Sequence, residues 1–200
     1  MGLVTWARTG RDVAPIQRPR QTLSASLIMG GHHAEECLHW TLRSVAGVAD
    51  EIVVADCGAS AEALRIARSY GARIVPGVNP LVEGFETARN MSLAACRCDW
   101  VLWIDCDERM VDPQNTGKYL RKSLFHGFGV RQHHFTVDAG FKPDMPVRIF
   151  RRTEIEGKRV RFFGQIHEHP ETEINAGPGP VIILSDVHVA HVGYLSESGR

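Results

Sequence analysis

The chain has 200 residues, which is enough for one domain with a substantial buried core. Lys plus Arg and Asp plus Glu number 23 each, so the formal net charge is zero and gives no support to a nucleic-acid partner. No stretch of the sequence reaches the roughly 18 consecutive apolar residues that cross a bilayer, which leaves at most a peripheral contact with a membrane. The five cysteines, an odd number without a secretory signal, favour a reducing compartment, and we expect a cytoplasmic protein.

The hydrophobic pattern divides the chain into an arm and one domain. Residues 1–21 are rich in arginine and lack an apolar period, so we expect a flexible basic arm before a single domain over residues 22–200. The predicted strands in the first half are 23–29, 51–55, 73–75 and 99–104, and the predicted helices between them are 37–45, 61–70 and 83–96. Strands that alternate with helices form right-handed βαβ units. The pattern therefore predicts an α/β fold with an open, mostly parallel twisted sheet and helices on both faces.

The second half of the domain, residues 113–200, has a different character. Weak alternation covers 129–137, a short strand is predicted at 147–150, and a longer one at 181–192. We expect these segments to be additional, partly antiparallel strands that complete the sheet.

An acidic turn follows the most apolar predicted strand. Asp105 and Asp107 are separated by one residue, so both carboxylates can point toward one site as the chain leaves the strand. Hard cations such as Mg²⁺ and Mn²⁺ prefer oxygen ligands, and ligands of parallel sheets bind outside the carboxyl ends of the strands. Asp56 also stands at a strand end. A solvated turn for the first pair and a helix cap for Asp56 are the alternatives.

The order and spacing of these motifs resemble those of the family 2 inverting glycosyltransferases, which have the GT-A type of fold. The similar segments are 23–29, 35–38, 50–58, 67–72, 84–90, 99–108, 147–152 and 165–168. The last two are similar to the branch with lipopolysaccharide-core β-glucosyltransferases and peptide S-glycosyltransferases. The resemblance implies transfer of a sugar from a nucleotide-diphosphate sugar to a glycan, lipid-linked or peptide acceptor, with Mn²⁺ or Mg²⁺. Residues 22–112 would then form the nucleotide-sugar half and 113–200 the acceptor half.

The resemblance also assigns roles to residues of the first half. Asp56 would accept a hydrogen bond from the nucleotide base, Asp105 would contact the ribose or the metal, and Asp107 would bind the metal. Arg89 would contact the nucleotide or the acidic turn. The alternative for Arg89 is an ion pair on the surface with a glutamate of its own helix.

Inverting transfer needs a base that deprotonates the acceptor. We expect this base in the second half, with Glu168 as the first candidate and Asp144 as the second. Either carboxylate could instead pair with one of the nearby arginines.

Further ligands are expected on the later strands. His191 is the candidate third metal ligand, and His188 should face the other side of a regular strand. Arg148 is a candidate clamp for the diphosphate, or a solvated residue on an edge strand. Alternation places Arg148 and Arg152 on one face and Arg151 on the other, so the three should not serve one ligand.

Two departures from the family pattern keep other functions open. His32 and His33 stand where the family usually has Lys-Asn, and the segment 59–61 replaces the usual Ser-Thr-Asp. A sugar-nucleotidyltransferase is one alternative, although the glycines after the first strand lack the basic residues of a phosphate loop. A non-catalytic domain that binds a sugar or a partner is the other.

Overall fold

A computed structural model describes residues 20–31, 34–121, 125–135, 143–152, 160–165, 168–172 and 181–192. His32, His33 and residues 1–19 of the expected arm lie outside these ranges, and the division into arm and domain stays a prediction. Among the described helices, none combines the length and apolar character needed to cross a membrane.

The first half of the chain alternates strands and helices as predicted. Its elements are β1 (Leu23–Gly31), α1 (Ala34–Ala46), β2 (Glu51–Ala59), α2 (Ala61–Ser69), β3 (Arg73–Pro76), α3 (Pro80–Glu83), α4 (Phe85–Ala95) and β4 (Trp100–Trp103). Ser60 caps α2 by accepting a hydrogen bond from the amide of Ala63 at 3.0 Å. Gly71 follows the helix with a φ of +74°, a conformation that favours glycine.

The helix predicted over 83–96 is divided in the structure. Gly84 has a φ of +88°, which is outside the helical region and separates the four-residue α3 from α4. The apolar pattern of Phe85 and the residues after it indicates α4 correctly. It did not indicate α3, whose first turn is instead started by Asn79 and Pro80.

The second half consists mainly of short strands. They are β5 (Glu108–Val111), β6 (Gly127–His134), β7 (Pro143–Asp144), β8 (Val147–Arg151), β9 (Val160–Phe163), β10 (His169–Thr172) and β11 (Val181–His191), with a 3-10 turn (Pro113–Asn115) and α5 (Thr116–Leu120) after β5. The sequence pattern anticipated β6, β8 and β11. It did not indicate β5, β7, β9 or β10, which are only two to four residues long.

The strands form one mixed sheet and one small antiparallel sheet. Within the described residues, the main sheet has nine strands in the order β3-β2-β1-β4-β8-β6-β11-β5, with β7 on β6. The strands β1 to β4 are parallel, whereas β8 is antiparallel to β4 and β6, and β5 is antiparallel to β11. β9 and β10 pair separately. The expected α/β fold with partly antiparallel later strands is confirmed.

Both faces of the main sheet are buried, as the apolar strands require. On one face, Leu38 and Leu42 of α1 and Ile66 of α2 belong to a core that includes Leu27 and Trp100. On the other face, residues of α4 and β9 pack against the alternate positions of β4 and β8; they include Leu93, Val101, Trp103, Phe150 and Phe162. The chain passes from β1 to β2 on one side and returns to β4 on the other, so the carboxyl ends of β1 and β4 form a topological switch point, where open α/β sheets bind ligands.

Candidate active site

The acidic turn lies directly after β4 at this switch point. The backbone amide of Glu108 donates to the carbonyl of Asp105 at 3.1 Å, and the amide of Asp105 donates to the Glu108 carboxylate at 2.9 Å. The turn is therefore closed twice by the same pair of residues. The side chains of Asp105 and Asp107 keep 32% and 33% of their surface exposed, which leaves both accessible from the cleft.

Arg89 of α4 holds one side of the turn. This guanidinium is buried, and it donates to Asp105 at 2.6 Å and also to Glu168. Its central carbon lies 4.3 Å from the ring centre of Trp103, close enough for a cation–π interaction. The predicted contact between Arg89 and the acidic turn is thus observed, and the alternative of an ion pair on the surface is wrong.

Arg148 of β8 supports the turn from within the core. Its Nη2 donates to Glu108 at 2.5 Å and to Gln132 at 2.8 Å, and its Nη1 lies 3.9 Å from Asp105. Its guanidinium also stacks on Trp103 at 3.8 Å. With 2% of its surface exposed, Arg148 is neither a solvated edge residue nor open to the cleft. Its expected role as a diphosphate clamp stays a prediction that these contacts do not support.

The three arginines of β8 and its end have three different sets of partners. Arg151 stacks on Trp100 at 4.4 Å, and Arg152 donates to the carbonyl of Cys98 at 2.7 Å. The three guanidiniums therefore do not converge on one place, and the prediction that they do not serve one ligand stays a prediction.

Burial and the two guanidiniums act in opposite directions on the carboxyl groups of the turn. Burial by itself would raise the pKa of Asp105, but the charges of Arg89 and Arg148 outweigh it and hold that pKa below its ordinary value. For Glu108, burial is the larger influence and raises the pKa to about 7, although Arg148 opposes it. Asp105 is therefore the carboxylate that stays charged near neutral pH.

The second aspartate of the turn meets a histidine of β11. The Nε2 of His191 lies 3.1 Å from the Oδ2 of Asp107, and its Nδ1 lies 3.1 Å from the Nδ1 of His134. Burial lowers the pKa of His191, but the hydrogen bond to Asp107 more than offsets this and the pKa is raised. His188 contacts His133 instead, at 3.0 Å. His191 therefore adjoins Asp107 and His188 contacts His133, while the role of His191 as a metal ligand stays a prediction.

The donor set can be compared with the needs of a divalent cation. Asp107 and His191 are adjacent and both border the cleft, whereas Asp105 is engaged by Arg89. Over the described ranges, no group of three His, Cys, Asp or Glu side chains is arranged to hold a metal. Sites for Mg²⁺ commonly use one or two carboxylates together with substrate phosphates and water. The residues present fit that kind of site, with two protein ligands in place of the three that the sequence suggested.

A cleft of about 800 Å³ adjoins the acidic turn. Its lining combines the end of β1, the segment around α3, the start of α4 and the acidic turn; it includes Gly30, Cys57, Asn79, Leu81, Phe85, Arg89, Asp105, Asp107, Glu168 and His191. This volume lies within the range of small-molecule sites, about 300–1,000 Å³. The turn, Arg89 and Glu168 thus face one common space.

Asp56 lies beside this cleft, near the end of β2. Its carboxylate accepts hydrogen bonds from the amides of Gly58 at 3.1 Å and Ala59 at 3.0 Å. The alternative of a cap on the following helix is wrong, because Ser60 occupies that position. A side chain on Gly77 would place its Cβ 2.7 Å from the carbonyl oxygen of Asp56, so the chain after β3 crosses this strand end closely.

The two candidate bases are placed differently. Glu168 borders the cleft, and its side chain is 10% exposed and bound to Arg89. Asp144 is exposed on β7, accepts a hydrogen bond from the amide of Met145 at 2.7 Å, and is not part of the cleft lining. The geometry favours Glu168 over Asp144.

Several residues of the site were not identified from the sequence. The sequence motifs assign no role to Glu108, although it belongs to the acidic turn. Gln132 and His134 lie in no recognisable motif. Their partners are distant in the chain: Gln132 donates to Glu108 across 24 positions, and His134 meets His191 across 57. No signal in a single sequence would have shown these pairs.

The profile described as glycosyl transferase family 2 matches residues 26–171. The chain belongs to this family. The match includes the acidic turn, Arg89 and Glu168, and it confirms the family to which the sequence motifs pointed, with its GT-A type of fold. The closer resemblance to one branch stays a prediction.

Other relatives of this family 2 domain match shorter parts of it. A TPR repeat-containing protein of Synechococcus elongatus is 34% identical over 43% of this chain and 21% of its own length. An uncharacterized glycosyltransferase of Rickettsia bellii is 35% identical over 34% of this chain and 22% of its own. The matched parts are thus about a fifth of these relatives.

Among solved structures, glucosyl-3-phosphoglycerate synthase from Mycobacterium tuberculosis, in complex with Mn²⁺, uridine diphosphate and glucosyl-3-phosphoglycerate, is 24% identical. The matched part spans 66% of this chain and 51% of the synthase chain, with a TM-score of 0.44. The likeness is loose.

Proposed function

We propose that this family 2 domain is the catalytic core of a metal-dependent inverting glycosyltransferase. It would move a sugar from a nucleotide-diphosphate sugar to a glycan, lipid-linked or peptide acceptor. The observation that carries the proposal is the pairing of Asp107 with His191 at the switch point, beside an Asp105 held by Arg89 and open to the same cleft. Membership of the family supports it.

Asp107 and His191 would hold Mn²⁺ or Mg²⁺ in this proposal. The cation would neutralise the charge that develops on the departing diphosphate. Asp105 would contact the ribose, since Arg89 and Arg148 keep its carboxylate ionised and fixed in orientation. Asp56, at the adjacent strand end, would accept a hydrogen bond from the nucleotide base.

Glu168 is the base that this proposal assigns. In inverting transfer the base removes a proton from the acceptor hydroxyl or thiol as it attacks from the face opposite the departing group. Glu168 faces the cleft, and Arg89 binds it together with Asp105, so one guanidinium fixes the relative position of the two carboxylates. Asp144, outside the cleft lining, is the second candidate.

Binding of nucleotides tests the metal and donor assignments. Titrations of UDP, GDP and other nucleoside diphosphates by calorimetry, with Mn²⁺ and without it, should identify one that binds at least tenfold more tightly with the ion. Asp107→Asn should abolish this dependence on Mn²⁺. Glu62→Gln, which changes an exposed carboxylate paired with Arg65 on α2, should leave it unchanged. Equal affinities of the wild type with and without the ion, or a dependence on Mn²⁺ that persists in Asp107→Asn, would contradict the assignment.

Hydrolysis of the identified donor sugar by water then tests the base without knowledge of the acceptor. Glu168→Gln should lower turnover at least about 100-fold, the lower range for general base catalysis, with nucleotide affinity within a few fold of wild type. Asp144→Asn serves as the matched control and should retain turnover. The anomeric configuration of the released sugar, read by NMR, should be inverted, and retention would reject the proposed chemistry.

The same reagents separate the two alternatives. Release of pyrophosphate from a sugar 1-phosphate and a nucleoside triphosphate would identify a nucleotidyltransferase. Failure of every nucleotide to bind would identify a domain that binds sugars or partners without catalysis.

A further inference from the structure

A second cleft lies on the other side of α1 from the acidic turn. The inner face of α1 contacts the turn through Thr41, whose hydroxyl donates to the carbonyls of Cys106 at 2.8 Å and Glu108 at 2.6 Å. The outer side of α1, the end of α2 and the outer side of β5 enclose a space of about 580 Å³. None of the residues that line this second cleft also lines the first.

An exposed tryptophan and two arginines dominate the second cleft. Trp40 has 60% of its surface exposed, whereas an aromatic side chain of this size usually buries most of its area. The guanidinium of Arg109 lies 5.6 Å from the ring centre of Trp40, and Arg43 projects from α1 one helical turn after His39. Within the described residues, neither Arg43 nor Arg109 has a carboxylate within ion-pair distance. Over the part of the chain that the structure describes, the cleft therefore offers an exposed tryptophan ring and two cations without a carboxylate partner.

The remaining walls are polar. His39 and the hydroxyl of Tyr70 face each other at 3.4 Å, with ring centres 5.8 Å apart, and both can exchange hydrogen bonds with ligand hydroxyls. Asp112 is the acidic residue of the described lining. With two arginines against one aspartate, the lining favours an anion.

We propose that this second cleft binds an anionic carbohydrate, one that carries phosphate or carboxylate groups on a sugar chain. The flat face of Trp40 suits the apolar face of a sugar ring, and the guanidiniums of Arg43 and Arg109 suit the paired oxygens of a phosphate or carboxylate. A neutral sugar would leave both cations unused, and an inorganic anion would leave the tryptophan uncovered. The choice of a carbohydrate rests on the proposed function, because an enzyme that extends a glycan gains from holding residues beyond the reacting one.

Calorimetric titration of the full chain tests the site with defined probes. The anionic probes are maltohexaose phosphorylated at one O6 and hexagalacturonate, which separate phosphate from carboxylate as the source of charge. The comparison probes are neutral maltohexaose, inorganic tripolyphosphate and a single-stranded oligodeoxynucleotide. At least one anionic saccharide should bind tenfold or more tightly than every comparison probe. A comparison probe that binds as well as both anionic saccharides, or an absence of saccharide binding, overturns the proposal.

Variants locate the binding. Trp40→Ala and Arg109→Gln should each weaken the anionic saccharide at least fivefold, and Arg109→Lys should show an intermediate loss because it keeps the charge without the planar fork. Arg97→Gln is the matched control, since Arg97 is also exposed but lies outside the cleft. Affinities that are unchanged in both Trp40→Ala and Arg109→Gln overturn the assignment to this cleft.

Two cross-measurements separate this inference from the proposed function. Asp107→Asn should retain saccharide binding, and Trp40→Ala should retain nucleotide binding with Mn²⁺. If the wild type binds a saccharide but no nucleotide, the proposed function alone is rejected. If it binds a nucleotide but no saccharide, the second site alone is rejected.

Discussion

Replacement of Arg148 by methionine probes how the acidic turn is held. The change removes the guanidinium and keeps a long side chain in contact with Trp103. In the native protein, Arg148 and Glu108 are 2% and 1% exposed and their charged groups are 2.5 Å apart. The variant would therefore leave the Glu108 carboxylate buried with its hydrogen bonds from Gln132 and Asp105 but without a cation.

The expected cost is large for a single substitution. Removal of one partner from a buried ion pair typically costs about 3–5 kcal/mol while the other charge stays desolvated and unpaired. Because burial already raises the pKa of Glu108 to about 7 with Arg148 in place, this cost should appear at alkaline pH and shrink near neutral pH, where Glu108 can take up a proton. The total stability of a domain is commonly about 5–15 kcal/mol, so the free energy of unfolding should fall by a third or more. The variant is expected to fold, with a midpoint of denaturation at clearly lower guanidinium concentration.

A double-mutant cycle identifies the cause of this loss. Glu108→Gln removes the second charge, and the amide oxygen of the new side chain can still accept the hydrogen bond from Asp105. The double variant should consequently lose at least about 2 kcal/mol less than the sum of the two single variants, within the range for residues in direct contact.

Lys118→Met is the control on the surface. It breaks the ion pair with Asp186, in which the lysine side chain is 54% exposed, and should cost far less than Arg148→Met because water screens both charges. Denaturant unfolding at alkaline pH, followed by circular dichroism, measures all four variants. A loss below about 1 kcal/mol in Arg148→Met, or additive losses in the double variant, would refute the explanation through an unpaired buried charge.

Three further predictions concern Asp105, the glycine after β3 and a buried cysteine. The folded-state pKa of Asp105 is below its ordinary value of 3.8, so its ion pair stabilises the fold above that pH and this stabilisation is lost as the pH falls through the folded value. The stability difference between wild type and Asp105→Asn, measured by urea unfolding, should therefore be large at neutral pH and disappear in acid. A difference that stays constant with pH would contradict this prediction. Gly77→Ala should destabilise by about 1–3 kcal/mol because its Cβ would lie 2.7 Å from a carbonyl oxygen, whereas Gly47→Ala, with open space around it, should not, and equal thermal shifts would contradict the difference. Burial raises the pKa of the Cys96 thiol to about 12, so iodoacetamide at mildly alkaline pH should modify it only after unfolding, as read by mass spectrometry, and rapid modification of the native protein would disagree.

Much of the fold could be predicted because its signals are local. Runs of apolar and β-branched residues marked β1, β2 and β4, and helical spacing marked α1 and α2, since each pattern depends only on residues within one element. The parallel half of the sheet follows from the alternation of these elements. The acidic turn was found for the same reason, as Asp105 and Asp107 follow the most apolar strand of the chain. Gly84 was an exception, because a glycine in an apolar helical pattern does not reveal a positive φ.

The partners within the site were decided by the tertiary structure. Asp107 meets His191 across 84 positions, Arg89 meets Glu168 across 79, and Arg148 meets Glu108 across 40. These pairs depend on which strands are neighbours and in what register, and that choice follows from packing over the whole sheet. Residue type and spacing show that a carboxylate, a histidine or an arginine is present. Only the folded chain determines which of them are brought within bonding distance, because side-chain contacts depend on position in space and not on separation along the chain.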